Sequence, residues 1–197
     1  MEVNEPDMSY GNYTYADYLK WTIQERFELI KGKVFKMSPA PTSTHQRVSG
    51  FVFNKLYNFL QGRPCEVFSA PFDVRLPKRS KDDSQITTVL QPDICVVCDP
   101  SKIDERGCLG APDIVVEILS PGNNKKELDN KYEVYEEAEI KEYWIIHPNE
   151  KTFFRYILDT EGKFHPQRLL TIGDEVRTEL LPGFILNLTA LFEERNK

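Results

Sequence analysis

The sequence lacks any long apolar run. No stretch of about 18 apolar residues occurs in the 197-residue chain, so no membrane-spanning helix is expected. Residues 1–12 are polar and acidic, and they lack the apolar core of a secretory signal peptide. We therefore predict a cytoplasmic protein, with a flexible N-terminus over residues 1–12 and a single domain over residues 13–193.

Cysteine is also scarce, with four residues in all: Cys65, Cys95, Cys98 and Cys108. That number in a chain of this length does not suggest a disulfide framework. Cys95 and Cys98 are three positions apart in an apolar stretch that resembles a strand, so they should face opposite sides and could not share a metal. No second cysteine pair completes a zinc site. The cysteines are predicted to be buried structural thiols.

An excess of positive charge is missing too. The chain has 25 Lys and Arg against 31 Asp and Glu, which gives a net charge of −6 and a pI near 5.2. This balance argues against a broad nucleic-acid-binding surface, but it is compatible with a local basic groove or with a metal that screens phosphate charge. No Gly-rich phosphate loop is present, which argues against a hydrolase of nucleotides or other small phosphorylated substrates.

One apolar stretch, residues 112–121, organises the rest of the chain. Apolar residues fill both alternating sets of positions, which predicts a strand buried on both faces. Glu117 stands where that pattern requires an aliphatic side chain. A carboxylate there is costly unless a cation, a hydrogen-bond donor or a metal meets it. Glu117 is therefore the first candidate functional residue.

A second apolar strand, predicted over residues 91–98, carries another carboxylate near its start, Asp93. If the two strands pair, Asp93 and Glu117 reach one rim of the sheet, where neighbouring acids either share a proton or bind a divalent cation. Hard oxygen ligands without a matching set of His or Cys favour Mg²⁺ or Mn²⁺ over zinc. Acid pairs on strands also occur as structural ion pairs, so the spacing leaves both interpretations open.

Helical spacing of apolar residues predicts two long helices, over residues 43–62 and 125–138. Lys131 falls inside the apolar stripe of the second, four positions before Tyr135. A lysine there either snorkels to the rim of the sheet or meets a buried carboxylate, and pairing with Glu127 one turn earlier is the simpler alternative. Together with the two acids it would form a set suited to metal-assisted phosphodiester hydrolysis.

Two further polar residues are ambiguous from the pattern. Glu28 lies in the first predicted strand, where an exposed edge carboxylate and a functional acid are both compatible with the sequence. His45 lies on the inward face at the first turn of the helix over 43–62, where a hydrogen-bonded core residue is the commoner interpretation.

The remaining predicted elements are a short helix capped by Thr14, two strands around the Lys31-Gly32 turn, strands near 66–69, 72–76 and 142–148, a hairpin over 152–170 and a helical turn near 188–193.

In combination these residues resemble a known family. Pro92-Asp93 followed by Glu117-Ile118-Leu119 is similar to the core of PD-(D/E)XK nucleases, and the chain resembles the bacterial Uma-type family of restriction endonucleases. The resemblance covers about residues 14–190 and runs in order through Phe27-Glu28-Leu29-Ile30-Lys31-Gly32, Met37-Ser38-Pro39, His45-Gln46, Ala70-Pro71-Phe72-Asp73-Val74, Gln91-Pro92-Asp93, Pro112 to Pro121, Lys131 with Tyr135, and Glu142-Tyr143-Trp144.

The resemblance implies an α/β fold with a restriction-endonuclease-like core, a central mixed β-sheet flanked by helices, and extra β-hairpins. It implies Asp93 and Glu117 as ligands of Mg²⁺ or Mn²⁺, with Glu28 as an assisting acid and metal ligand. The usual lysine two residues after the second acid is absent, since Leu119 is there. Lys131 on the following helix matches the relocated catalytic lysine of the family.

His45 matches a family histidine near the catalytic site. The chain departs from the family pattern at Gly122-Asn123, which replace a pair of small polar residues, at Glu139, where glycine is usual, and at His147, where aspartate is common. None of these departures removes a predicted ligand.

The leading prediction is a metal-dependent endonuclease that hydrolyses DNA, and a homodimer is expected because such nucleases usually cut both strands. The alternative is a non-catalytic interaction protein on a nuclease-like scaffold, in which the acids form a structural ion pair with Lys131. The acidic pI favours the alternative, and the intact set of acids and lysine favours the enzyme.

Overall fold

The structure is a computed structural model that describes residues 6–22, 25–37, 41–120 and 125–193, the side chains of 125–127 excepted. Its helices are α1 Tyr15–Tyr18, α2 Ser43–Leu60, α3 Lys125–Glu137 and α4 Leu188–Phe192. Within these ranges no helix is long and apolar enough to cross a membrane. The strands are β1 Phe27–Ile30, β2 Lys33–Lys36, β3 Glu66–Ser69, β4 Val74–Arg75, β5 Val89–Leu90, β6 Ile94–Val97, β7 Ile103–Asp104, β8 Gly107–Leu109, β9 Ile114–Ile118, β10 Glu142–His147, β11 Thr152–Leu158, β12 Phe164–Pro166, β13 Leu170–Thr171, β14 Glu175–Val176 and β15 Leu186–Asn187.

In the described ranges the strands form two large sheets and one small one. The seven-stranded sheet has the order β12-β11-β10-β9-β6-β3, with β13 beside β11. It is a mixed sheet, because β9 runs parallel to β10 and antiparallel to β6. The six-stranded sheet has the order β2-β1-β5-β4-β8-β7, and β14 pairs with β15. The predicted α/β fold with a central mixed sheet and extra hairpins is confirmed.

β9 is buried on both faces, as its sequence predicts. None of its five residues is more than 7% exposed. On one face, Val116 shares a cluster with Val52 of α2. On the other face, Val115 shares a cluster with Tyr135 of α3. The strand lies between two helices, and this position explains why apolar residues fill both alternating sets.

The six-stranded sheet packs on the α3 side of this core. Ile30 of β1 and Leu90 of β5 belong to the same cluster as Val115. The opposite face of the sheet packs with α1, where Leu29 and Tyr15 share a separate cluster. Because side chains alternate along a strand, β1 directs the face that contains Ile30 toward α3 and β9.

Helix boundaries agree closely with the sequence pattern, and strand boundaries agree less well. α2 ends at Leu60, before Gly62, and Thr42 caps its start by accepting a hydrogen bond from the backbone N–H of His45 at 3.2 Å. The strand predicted over 91–98 begins only at Ile94, because Pro92 lacks the N–H that a ladder needs. The strand predicted near 72–76 is limited to β4. The Ser38-Pro39 motif and Gly122-Asn123 lie outside the described residues.

The prediction of buried thiols is wrong for one cysteine pair. Cys65 and Cys98 form a disulfide. Antiparallel pairing of β3 with β6 matches Glu66 with Val97, so the next residues outward, Cys65 and Cys98, face each other. That register depends on tertiary pairing, which spacing along the sequence does not reveal. Cys95 and Cys108 are free and buried, as predicted.

Candidate active site

Asp93 and Glu117 lie side by side at one end of the β6–β9 pair. The register matches Ile94 with Val116, and the next step along the antiparallel strands brings Asp93 opposite Glu117. Oδ2 of Asp93 also accepts a hydrogen bond from the backbone N–H of Ile118 at 2.7 Å. The two strands therefore pair as predicted, and their carboxylates meet at one rim of the sheet.

Glu28 reaches the same place from the six-stranded sheet. It lies on the same face of β1 as Ile30, which packs beneath α3. Glu28 is 4% exposed, and β1 is an inner strand between β2 and β5, so the interpretation as an exposed edge carboxylate is wrong. Its Oε1 accepts a hydrogen bond from the backbone N–H of Gln91 at 3.1 Å, which helps to compensate for its burial.

Lys131 of α3 connects the two glutamates. Its Nζ lies 3.0 Å from Oε1 of Glu117 and 3.1 Å from Oε1 of Glu28. The residue is 5% exposed, so the ammonium group meets buried carboxylates and does not snorkel to the rim. The side chain of Glu127, the alternative partner, lies outside the described residues.

Tyr135 belongs to the site, although the residue pattern predicted it only as part of an apolar stripe and the family resemblance included it beside Lys131 without a role. Its hydroxyl donates a hydrogen bond to Oε1 of Glu117 at 2.7 Å, and the residue is fully buried. Residues four apart lie on one face of a helix, so the spacing from Lys131 to Tyr135 was the available signal. Tyr135 and Lys131 together hold one carboxylate oxygen of Glu117.

His45 brings the start of α2 to the site. Its Nε2 lies 3.2 Å from Oδ2 of Asp93, and the residue is buried. Burial lowers the pKa of His45, but the Asp93 carboxylate outweighs this effect, so the pKa lies above its ordinary value. Nδ1 of His45 is buried and has no hydrogen-bond partner in the described part of the chain. The histidine is therefore both a core residue and a direct neighbour of the acid pair.

Burial dominates the electrostatics of Glu117. It raises the pKa of this carboxyl from 4.5 to about 7; Lys131 opposes the increase, whereas Asp93 and Glu28 add to it. Burial by itself would lower the pKa of Lys131, but the two glutamates outweigh it and raise the pKa well above the ordinary lysine value. Lys131 is therefore a permanent cation at neutral pH, while Glu117 exchanges a proton in that range.

All five predicted site residues line one open cleft with a volume of about 360 Å³. The cleft lies between β1, β2, α3, the start of α2 and the adjoining ends of β6 and β9. Arg26 and Lys36 add positive charge to its wall. A protein with a net charge of −6 thus has a cleft in which buried acids lie beside exposed cations.

Asp93 and Glu117 fit a divalent cation that uses few protein ligands. Oδ1 of Asp93 and Oε2 of Glu117 accept no hydrogen bond from any residue that the structure describes. Mg²⁺ is usually held by one or two carboxylates together with waters and substrate phosphates. No cluster of three His, Cys, Asp or Glu poised for a metal occurs in the described ranges, so a complete protein cage is absent there. Oε1 of Glu28 faces Lys131, and its role as a metal ligand stays a prediction.

Residues 15–189 match the model of the family described as "Uma2: Putative restriction endonuclease". The chain belongs to this family. The match includes every element that contributes a side chain to the cleft of the Uma2 protein. An uncharacterized protein of Synechocystis is 24% identical to this Uma2 chain over 137 residues, 68% of each chain. A crystal structure from Anabaena variabilis, described as a "putative nuclease belonging to DUF820", shares its fold with a TM-score of 0.70 and 21% identity, covering 91% of this chain and 97% of that one.

Proposed function

We propose that this Uma2 protein is a metal-dependent endonuclease that hydrolyses phosphodiester bonds of DNA. The observation that carries the proposal is the convergence of three carboxylates and one buried lysine, from both large sheets and α3, on a single cleft. Membership of a restriction endonuclease family and a nuclease-like fold support the same reaction class. A homodimer and a cytoplasmic location stay predictions.

Asp93 and Glu117 are the proposed ligands of Mg²⁺ or Mn²⁺, with Glu28 assisting. A cation held there would neutralise charge on the scissile phosphate and lower the pKa of a water molecule. His45 orients Asp93, because its Nε2 contacts Oδ2 and leaves Oδ1 free of protein donors among the described residues. Tyr135 has the matching role for Glu117, because it engages Oε1 and leaves Oε2 free of protein donors among the described residues.

Lys131 provides the fixed positive charge of the reaction. An ammonium group has three donors, and two of them face Glu117 and Glu28. The third can donate to the attacking water or to a non-bridging phosphate oxygen. Because its pKa lies well above the ordinary value, Lys131 keeps its charge and stabilises the negative charge that develops in the transition state.

A second candidate function follows from the same ion pairs. Lys131 compensates Glu28 and Glu117 without any metal, which is the arrangement expected of a non-catalytic interaction protein on a nuclease-like scaffold. The acidic net charge also favours this candidate. Titration with Mg²⁺ or Mn²⁺ separates the two, because a purely structural cluster should bind neither ion above background.

Cleavage of supercoiled plasmid in Mg²⁺ or Mn²⁺ tests the proposal. Asp93→Asn and Lys131→Met, each checked for folding by circular dichroism, should lower the rate by about 100-fold or more. Asp113→Asn is a matched control, because Asp113 also follows a proline but contacts the backbone of Cys98 and the Lys141 ammonium at the other end of β9. Its rate per folded molecule should be unchanged. The assignment is wrong if Asp93→Asn and Lys131→Met also cleave at the wild-type rate.

A further inference from the structure

A second groove, with a volume of about 1140 Å³, opens along another side of α2. One wall includes Thr44, Arg47, Gly50 and Asn54, which follow one another at intervals of three or four and so share a helix face, and the apolar residues Val48 and Phe51 line it as well. The other wall consists of the turn between β10 and β11, including Lys151, and the end of α4. We call this feature the α2 groove.

The α2 groove and the active-site cleft both reach the first turn of α2. His45 lines the cleft, and its neighbour Thr44 lines the groove. The first turn of α2 is therefore the divide between the two depressions. A linear polymer bound in the cleft would have to cross this turn to reach the groove.

The charge of α2 differs from that of the rest of the chain. α2 contains Arg47 and Lys55 and no acidic residue, although the whole chain has a net charge of −6. α3, which forms the opposite side of the cleft, contains five acidic residues and three lysines in thirteen, so its net charge is −2. A polyanion that extends from the cleft therefore meets net negative charge along α3 and net positive charge along α2.

The cations of the α2 groove are available for a ligand. Arg47 and Lys151 are both exposed, and they lie on opposite walls. Arg47 donates a hydrogen bond to the hydroxyl of Ser43, and neither cation forms an ion pair with any residue in the described ranges. Among the described residues that line the groove, Glu193 is the acidic one, so the charges of these residues sum to a positive value.

Gly50 is the residue of the groove that internal packing explains least. It lies in the middle of α2, and a Cβ at this position would meet no described atom within 4 Å apart from its chain neighbours and the helix's own backbone. Glycine inside a helix is less stable than alanine, and no close contact with another described residue requires it here. Because glycine has no side chain, the helix backbone is exposed on the groove wall at this position, and a partner can approach it closely.

We propose that the α2 groove binds the sugar–phosphate backbone of the DNA beyond the scissile phosphate. This inference rests on the proposed function for its ligand. Arg47 and Lys151 pair with phosphates, Thr44 and Asn54 donate hydrogen bonds, and Gly50 admits the strand against the helix. Contacts of this type set the position and direction of DNA without reading its bases.

The test measures binding separately from cleavage. Fluorescence anisotropy of an end-labelled DNA duplex is recorded with the full chain in EDTA. The double variant Arg47→Glu/Lys151→Glu should bind at least about tenfold more weakly, and the slope of log affinity against log salt should fall by about 2. The matched control, Lys163→Glu/Arg168→Glu, makes the same change in net charge on an exposed hairpin that lines neither depression. It should keep the wild-type slope.

Gly50→Ala provides a second test, in which the expected loss of DNA affinity cannot be caused by a loss of stability. Because alanine favours the helix and meets no neighbour, this variant should melt at a higher temperature than the wild type. Because the added methyl group narrows the groove, the same variant should bind DNA more weakly. A more stable variant with unchanged DNA affinity contradicts the close approach at Gly50.

Each outcome separates this inference from the proposed function. If the wild type cleaves DNA and both double variants bind with equal affinity, the α2 groove is not the DNA path and the endonuclease proposal stands. If the wild type fails to cleave but the groove variant alone weakens binding, the α2 groove is the DNA path and the endonuclease proposal fails. A groove variant that changes only the sedimentation of the protein, with unchanged DNA affinity, identifies a contact between copies of the chain and overturns the inference.

Discussion

At the residue scale, the distinctive feature is a group of charged side chains buried around one point. Glu28, Glu117 and Lys131 are each no more than 7% exposed. A buried charge without a partner is unstable, and the two glutamates are tolerated because Lys131 lies within 3.1 Å of both. Stability and the proposed chemistry therefore depend on the same ammonium group.

Lys131→Met should destabilise the protein as well as inactivate it. At pH 8 the substitution leaves two buried carboxylates without compensation, and we expect the free energy of unfolding to fall by about 3 kcal/mol. The loss should be smaller at pH 5, where Glu117 takes up a proton. Urea unfolding at the two pH values measures both effects. Lys163→Met, which removes an exposed cation, is the control, and equal stability of both variants at pH 8 would contradict the buried ion pair.

The raised pKa of Glu117 predicts a pH dependence of stability. Because the folded-state pKa of about 7 exceeds the ordinary value of 4.5, the folded state binds this proton more tightly than the unfolded state. The contribution of Glu117 is present below pH 4.5 and is lost as the pH rises through 7, by up to about 3 kcal/mol. The difference in unfolding free energy between the metal-free wild type and Glu117→Gln should follow this curve. A constant difference between pH 4 and pH 8 would show that the carboxyl has an ordinary pKa.

At the scale of elements, periodicity predicted the helices and the doubly buried strand and missed several short strands. α2, α3 and β9 have apolar spacing strong enough to locate them closely. The unpredicted strands β5 and β7 have two residues each, which is too short to show a period, and the sheet around them supplies their conformation. The Cys65–Cys98 disulfide was missed for a related reason, since the register of β3 on β6 is a tertiary property.

The β1–β2 hairpin, whose first strand contains Glu28, depends on Gly32 for its turn. Gly32 has φ of +80°, and a Cβ there would lie 2.7 Å from the backbone oxygen of Gly11. Gly32→Ala should lower the free energy of unfolding by about 2 kcal/mol or more. Gly173→Ala is the matched control, because Gly173 also has positive φ but a Cβ there would meet nothing within 4 Å. Chemical denaturation should show the larger loss for Gly32→Ala, and equal losses would contradict the close contact with Gly11.

At the scale of the whole molecule, the site combines parts that the sequence predicts with unequal certainty. Glu117 was predictable because it interrupts an apolar strand, Asp93 because it stands at the start of another, and Lys131 because it interrupts an apolar stripe. The residue pattern alone left Glu28 ambiguous, and only the family resemblance implied it, because its position depends on how the two sheets pack against each other. The net charge of −6 is an average over the chain, and it does not reveal that α2 contains no acidic residue.

The central claim is that Asp93 and Glu117 form a divalent cation site beside Lys131. Titration of the metal-free protein with Mn²⁺ by isothermal calorimetry tests this claim most directly. We predict saturable binding by the wild type that is lost in both Asp93→Asn and Glu117→Gln and is retained in the control Asp113→Asn. Absence of binding, or equal binding by all four proteins, would contradict the claim and leave the cluster as a structural ion pair.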